Sequence, residues 1–268
     1  MLNSRPAAVA GTFYPADPAG LNATIDQLLA GIPPETPRSR PKALIVPHAG
    51  YIYSGTTAAA AYARLAPWAA EIHRVILLGP THRVAVDGMA LPEVEAFTTP
   101  LGNIRLDAHA IALLAGLPQI VFSNQVHAFE HSLEVHLPFL QRLLDHFTLV
   151  PLAVGHASPE AVAEVIDLLW GGPETLIVVS TDLSHFLPYA TARQVDRNTC
   201  QHILQGDTDL HPEQACGAYP VNGLLLAARR RGLQPTLLAC CNSGDTAGDR
   251  HRVVGYAAFQ IEEAEDHG

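Results

Sequence analysis

The sequence contains no apolar run long enough to cross a membrane. A membrane-spanning helix needs about 20 consecutive, mostly apolar residues, and the first residues also lack the apolar segment of a signal peptide. We therefore expect a chain that makes no contact with the membrane and resides in the cytoplasm. An apolar content of 48% over 268 residues still predicts a sizeable buried core.

Basic residues are also scarce. There are 16 Lys plus Arg against 26 Asp plus Glu, which gives a formal net charge of -10. Proteins that bind nucleic acids present a basic face to the phosphates, so this composition argues against a nucleic-acid partner. The one basic cluster, Arg229 to Arg231, fits the last turn of a helix, where cations are favourable.

Cysteine is limited to four residues, and no CxxC pair exists, so the sequence does not indicate a structural zinc site. We expect free thiols in a reducing compartment. Cys216 precedes a predicted helix, and a helix dipole would lower the pKa of its thiol. The alternative for Cys216 is a buried, inert thiol, and core packing is expected for Cys240 and Cys241.

The remaining sequence alternates short apolar runs with amphipathic segments. Runs at residues 43–46, 74–78 and 176–180 have the composition of buried strands. Residues 130–147 are predicted to form a helix with a kink or break at Pro138. We predict an α/β fold in one domain, residues 1–268. It has a mixed, mostly parallel sheet with helices on both faces and an antiparallel closing strand.

Three predicted strands end in polar residues of the kind that bind metals. His48 follows the first, His82 follows the second, and Asp182 and His185 follow the third. Because parallel strands bring their carboxyl ends to one edge of the sheet, we expect one shared cleft. Neutral imidazole is the commonest protein metal ligand, and a further histidine can act as acid or base. The alternatives are structural histidines and an Asp182 that only caps a helix.

A second group of polar residues lies between positions 127 and 136. It does not contain the HExxH pattern of zinc proteases, because Ser132 follows His131. We expect one or two members of this group to reach the cleft, where they support the metal ligands or contact substrate, and the others to be solvated. His131 is the member predicted to take part in catalysis. The group comprises His127, Glu130, His131, Glu134 and His136.

Seven segments, in this order, resemble one known family. They are AGTFYPADP from residue 10, PHAGYIYSG from 47, LGPTH from 78, TTPLG from 98, EHSLEVHLPFL from 130, STDLSHF from 180 and CGAYPVNGLL from 216. Together they resemble the MEMO family, named for the mediator of ErbB2-driven cell motility. Its bacterial and archaeal members are called AmmeMemoRadiSam system protein B.

The resemblance implies a fold similar to the class III (LigB-like) extradiol dioxygenases, and it implies a metal site. His48 and His82 fall on the two histidine-ligand positions, and Cys216 falls where the dioxygenases have a glutamate. His185 falls on the position of the catalytic acid/base, with Asp182 beside it. The resemblance implies iron or copper as the metal, with zinc as a further option. A thiolate in place of the carboxylate shifts the preference toward copper(I) or zinc and away from iron, so ring cleavage is not assumed.

The function implied is redox or oxygenase chemistry on an unidentified small-molecule or peptide substrate. Two alternatives use the same cleft: a phosphopeptide- or ligand-binding module without catalysis, and a metal-dependent hydrolase. The resemblance also implies association with other proteins of the AmmeMemoRadiSam system.

Overall fold

The architecture was obtained as a computed structural model, which describes residues 2–33 and 39–263. Twelve strands form two sheets within the described residues. The strands are β1 (Ser4–Arg5), β2 (Pro41–Val46), β3 (Arg74–Pro80), β4 (Met89–Leu91), β5 (Ala96–Thr99), β6 (Gly102–Arg105), β7 (Ile120–Phe122), β8 (Thr148–Val154), β9 (Thr175–Ser180), β10 (His185–Leu187), β11 (Pro235–Asn242) and β12 (Val253–Glu262).

Eight α-helices connect or cover these strands in the described part of the chain. They are α1 (Pro18–Ala30), α2 (Tyr51–Tyr62), α3 (Ala108–Leu114), α4 (Asn124–Ala128), α5 (Leu137–Leu143), α6 (Pro159–Leu169), α7 (Tyr189–Gln205) and α8 (Ala218–Arg230). None of these described helices is long and apolar enough to span a membrane.

The larger sheet has nine strands, and its centre is parallel. The strands β2, β9, β3 and β8 lie side by side in this order, and all three pairings are parallel. Antiparallel pairings flank this centre: β12 pairs with β2, and β4 pairs with β8. The mixed α/β fold predicted from the sequence is therefore confirmed, including the antiparallel closing strand. A separate small sheet joins β1, β5 and β6.

The central strands are apolar through their middle residues because both faces of the sheet are covered. On β3, Ile76 and Leu78 contribute to the core under α6 and α8, whereas Val75 and Leu77 contribute to the core under α1, α2 and α5. Successive side chains of a strand point to opposite faces, so a run without polar residues is what a doubly covered strand requires. Burial of these strands determines where each of them ends, and it thereby positions the loops that hold the site residues.

The helix predicted over residues 130–147 is wrong. Residues 129–133 are irregular, a 3-10 turn spans Glu134–His136, and only Leu137–Leu143 is α-helical. Pro138 occupies the first turn of α5, where its missing N–H costs no hydrogen bond, so the helix begins there instead of kinking. The residues before it are free to fold as a loop at the edge of the sheet.

Candidate metal centre

Three histidine rings lie together at the carboxyl edge of the parallel strands. His48 follows β2, His82 follows β3, and His131 comes from the irregular segment before α5. Their ring centroids are 5.1 Å (His48–His82), 5.5 Å (His48–His131) and 4.8 Å (His82–His131) apart. One ligand atom from each lies within 4.8 Å of the other two. Such a trio is compact enough to share one ion.

The position of His48 is fixed from behind by Ser180, the last residue of β9. Ser180 Oγ donates to the carbonyl of Ser132 at 2.6 Å, so its single proton is already committed. The 2.6 Å contact with His48 Nδ1 must therefore be donated by the ring. This assigns the proton to Nδ1 and leaves the Nε2 lone pair of His48 free for a metal.

The same serine also accepts from a second histidine. His136 Nε2 lies 2.8 Å from Ser180 Oγ, and His136 Nδ1 lies 2.9 Å from the hydroxyl of Tyr62. Since Ser180 has no second proton to give, His136 donates to it and accepts from Tyr62. His136 is buried, so it acts as a fixed link between the core and the support of His48.

Glu130 plays the corresponding role for His82. His82 Nδ1 donates to Glu130 Oε1 at 2.9 Å, which leaves Nε2 of His82 free. The carboxylate also accepts from the backbone N–H groups of His82, His131 and Ser132. Burial alone would raise the pKa of Glu130, but these hydrogen bonds outweigh it and lower that pKa to about 2. Glu130 is therefore ionised at neutral pH.

Two of the three rings, those of His48 and His131, are neutral at pH 7. Burial lowers the pKa of His48 well below its ordinary value, and the neighbouring histidines lower it further. Burial likewise lowers the pKa of His131 to about 4. His48 forms the buried floor of the site, while the side chains of His82 and His131 retain 28% and 17% of their exposure. Neutral imidazoles with oriented, available nitrogens suit iron, copper or zinc.

Cys216 lies beside this trio. Its Sγ is 3.4 Å from Nε2 of His48 and accepts from the N–H of Asp182 at 3.4 Å. Gly217 makes this approach possible, because a Cβ there would lie 2.4 Å from the carbonyl oxygen of Ser180. The structure thus places Cys216 against one of the two predicted histidine ligands, although the compact trio contains His131 instead.

The predicted lowering of the Cys216 pKa is wrong. Burial raises the pKa of the thiol to about 12, and the nearby Asp182 carboxyl adds to the effect. The helix that follows starts only at Ala218, and its dipole does not overcome these two contributions. Without a cation, Cys216 is therefore a thiol, and a metal that binds it must displace the proton.

Asp182 does not cap a helix, because the strand β10 follows it. Its carboxylate accepts from the backbone N–H of His48 at 2.8 Å and from that of Ala49. Burial raises the pKa of Asp182 to about 7, although these hydrogen bonds oppose the rise. The observed contacts make Asp182 an anchor for the loop that carries His48.

His185, the first residue of β10, lies outside the trio. Burial lowers the pKa of His185, the nearby His82 ring lowers it further, and His185 in turn contributes to the lowered pKa of His48. The next residue, Phe186, has a φ of 59°, a conformation that residues other than glycine rarely adopt. The position of His185 is compatible with the predicted acid/base role, which stays a prediction.

The expectation that most of residues 127–136 are solvated is wrong. His127, Glu130, Glu134 and His136 are all buried. Glu134 is fully buried and pairs with Arg5, and it also accepts from the hydroxyl of Tyr14 at 2.6 Å. Partners this distant in the chain leave no local signal in the sequence. Ser180 was missed for the same reason, although the STDLSH motif marked its neighbourhood.

Comparison with known proteins agrees with this geometry. Residues 5–260 match the family described as "Memo-like protein". A "MEMO1 family protein" from Ignicoccus hospitalis is 36% identical, over 96% of this chain and 98% of its own. Another from Aquifex aeolicus is 36% identical, over 95% of this chain and 98% of its own. The chain belongs to the Memo-like family.

Among solved structures, an uncharacterised protein from Escherichia coli K12 is similar in fold. It aligns with a TM-score of 0.52 at 14% identity, over 82% of this chain and 99% of that one. At this identity the similarity speaks to the fold alone. The resemblance read from the seven sequence motifs is thus confirmed at the level of the Memo-like family.

Proposed function

We propose that this member of the Memo-like family is a transition-metal protein with redox or oxygenase activity. One observation supports it most: Nδ1 of His48 and Nδ1 of His82 are each held by a supporting oxygen, so Nε2 is the nitrogen that each ring can offer to a metal. Nε2 of His48 contacts Cys216 Sγ, which is itself a candidate ligand. Nitrogen ligands oriented by an outer hydrogen bond are typical of metal centres.

The third ligand comes from His131 or from Cys216. His131 completes the compact trio. Cys216 Sγ lies 3.4 Å from His48 Nε2. Bonds of about 2.3 Å to sulfur and 2.0–2.1 Å to nitrogen at a tetrahedral angle place the two ligand atoms about 3.5 Å apart. The spacing of Cys216 and His48 therefore fits a shared ion, although Cys216 is not a member of the compact trio. We propose the set His48, His82 and Cys216, with His131 as the competing donor.

A bound iron or copper ion would supply one-electron chemistry or activation of O2. The residues of the chain have separate tasks around it. His185 is proposed to take or give a proton on the substrate, and Asp182 holds the loop of His48 by its two backbone bonds. Phe13 packs its ring 4.8 Å from that of His131, so an apolar surface adjoins the site. It favours a substrate with an apolar part.

Metal analysis of protein purified without oxygen tests the proposal. We expect about one ion per chain in the parent protein and almost none after His48→Ala or His82→Ala. His109 is exposed and distant in sequence from the site, so His109→Ala is the matched control and should bind as the parent does. Metal binding that is the same in all four proteins would refute the proposal.

Cobalt substitution separates the two ligand sets. A thiolate ligand gives Co2+ a sulfur-to-metal charge-transfer band in the near ultraviolet, and imidazole does not. We expect the band in the parent protein, its loss in Cys216→Ser and its retention in His131→Ala. Absence of the band in the parent protein, with cobalt bound, would assign the third position to His131.

Substrate assays then test the reaction class. Oxygen uptake with catechols, dependent on His185, supports oxygenase chemistry. Turnover of esters or amides without oxygen uptake would instead identify the protein as a hydrolase. Binding of a phosphotyrosine peptide, with neither reaction observed, would instead identify the protein as a binding module without catalysis.

A further inference from the structure

Three of the four cysteines lie at the strand β11, away from the histidine site. Cys240 and Cys241 are adjacent on β11, and Cys200 is on α7, which packs against that strand. All three are free thiols. The question is which of them can react with one another.

The two neighbouring thiols of β11 point to opposite faces. Cys241 Sγ lies 3.1 Å from Thr57 Oγ1 on α2, so its side chain is on the α2 face. Successive residues of a strand alternate between faces, which turns Cys240 toward α7. A bond between Cys240 and Cys241 is therefore disfavoured by the strand itself.

The packing of α7 brings Cys200 to the level of Cys240. One turn earlier on α7, Asp196 packs so closely on Gly255 that a Cβ there would meet its Oδ2 at 2.1 Å. Gly255 pairs with Asn242, and two residues along, Ala257 pairs with Cys240. Four helical residues advance about 6 Å and two strand residues about 6.6 Å. The step from Asp196 to Cys200 thus matches the step from Asn242 to Cys240.

The packing brings the side chains of Cys200 and Cys240 within interaction distance of each other. Their surroundings differ, because Cys200 is buried and Cys240 is exposed. The interaction between the two thiols lowers the pKa of Cys240, and it raises the pKa of Cys200, as burial does. Cys240 is the more reactive of the pair, since the thiolate is the nucleophile and an oxidant can reach it.

We propose that Cys200 and Cys240 are a reversible redox pair that forms an intrachain disulfide when the protein meets a hydroperoxide. The sulfur of Cys240 attacks the peroxide oxygen, the O–O bond breaks, and a sulfenic acid and an alcohol or water result. The Cys200 sulfur then attacks the Cys240 sulfur and expels water. In sum, two thiols and one hydroperoxide give one disulfide, one water and one alcohol or water. Dithiol reductants reverse the step.

The experiment is peptide mapping of the full chain after treatment with hydrogen peroxide. A chelator is present, so that metal-catalysed oxidation at the histidines does not contribute. We expect a peptide pair linked through Cys200 and Cys240, a loss of two titratable thiols per chain, and recovery of both with dithiothreitol. Cys241→Ser is the matched control and should form the same link.

Two variants test the order of events. Cys200→Ser should leave Cys240 as a sulfenic acid that dimedone traps, and Cys240→Ser, an exposed change, should give no disulfide and no trapped adduct. Circular dichroism before oxidation verifies that both variants are folded. A Cys240–Cys241 bond, an intermolecular disulfide, or sulfinic acid at Cys240 without any disulfide would each overturn the proposal. These outcomes do not depend on metal binding at His48 and His82.

Discussion

Replacement of Glu134 by glutamine should destabilise the fold severely, although Glu134 looks like a site residue in the sequence. Its carboxylate is fully buried and accepts from the N–H groups of Ala8 at 2.7 Å and Val9 at 3.0 Å. It also accepts from Tyr14 and pairs with Arg5, which itself retains 5% exposure. One side chain thus ties the N-terminal segment to the loop behind the histidines.

The expected cost follows from the missing charge. A glutamine amide has one acceptor oxygen, so its NH2 group must face backbone N–H donors or the Arg5 guanidinium. In either case the buried Arg5 is left without a counter-charge. Breaking a buried ion pair in this way costs about 3–5 kcal/mol. Domains are stable by about 5–15 kcal/mol, so Glu134→Gln removes a large share. At slopes near 3 kcal/mol/M in urea, the midpoint falls by roughly 1–2 M.

Urea unfolding followed by circular dichroism measures this shift. Asp26→Asn is the control, because it breaks the pair between Arg142 and Asp26, which are about half exposed at 45% and 49%. An exposed pair is worth less than about 1 kcal/mol. If Glu134→Gln costs no more than Asp26→Asn, the carboxylate does not hold the N-terminal segment, and the reasoning fails.

A double variant removes both charges of the buried pair, together with the bonds of Arg5 to the carbonyls of His127 and Glu130. Replacing a buried pair by apolar residues of similar size is often nearly neutral. In Arg5→Met combined with Glu134→Leu, however, the N–H groups of Ala8 and Val9 still lose their acceptor. We therefore expect the double variant to remain well below the parent protein in stability.

The remaining predictions concern the support of the histidines. Glu130→Gln should weaken metal binding about 10- to 100-fold although the ligand residues are unchanged. Titration with a competing chelator measures this affinity. Ser180→Ala should have a similar effect through His48 and should raise metal dissociation rates. In metal-free protein, His136→Gln should reduce the fall in the free energy of unfolding as the pH is lowered, measured by urea unfolding at several pH values. Burial lowers the folded-state pKa of His136 to about 3, while the unfolded chain takes up a proton near pH 6.5. Stability is therefore lost as pH falls through that window, and the variant lacks this loss.

The positions of the strand ends could be predicted from the sequence, because burial imposes an apolar run on each central strand. His48 and His82 stand immediately after such runs, so the rule for parallel sheets applies to them directly. His131 was predicted to reach the cleft as a catalytic or supporting residue, and its place in the compact trio was not foreseen. Its segment has no apolar period, and its position depends on where the irregular loop meets the sheet.

Residues in the supporting layer were harder to predict. Glu134 and Arg5 are 129 positions apart, and His136 reaches Ser180 across 44 positions. One helix was predicted over residues 130–147, but the α-helix begins only at Leu137, with Pro138 in its first turn. Helical periodicity is therefore misleading wherever buried polar residues serve long-range hydrogen bonds instead of packing.

The irregular shape of residues 129–133 follows from the same chemistry that orients His82. A loop at a sheet edge leaves backbone N–H groups without partners, and buried ones must find acceptors. Glu130 supplies the acceptor for the N–H groups of His131 and Ser132, and the same carboxylate receives the backbone and ring N–H groups of His82. A continuous helix here would satisfy its own backbone and turn the carboxylate away. The contacts that fold this loop therefore also orient the ring of His82. A substitution that makes the segment more helical should weaken metal binding even though no histidine is changed.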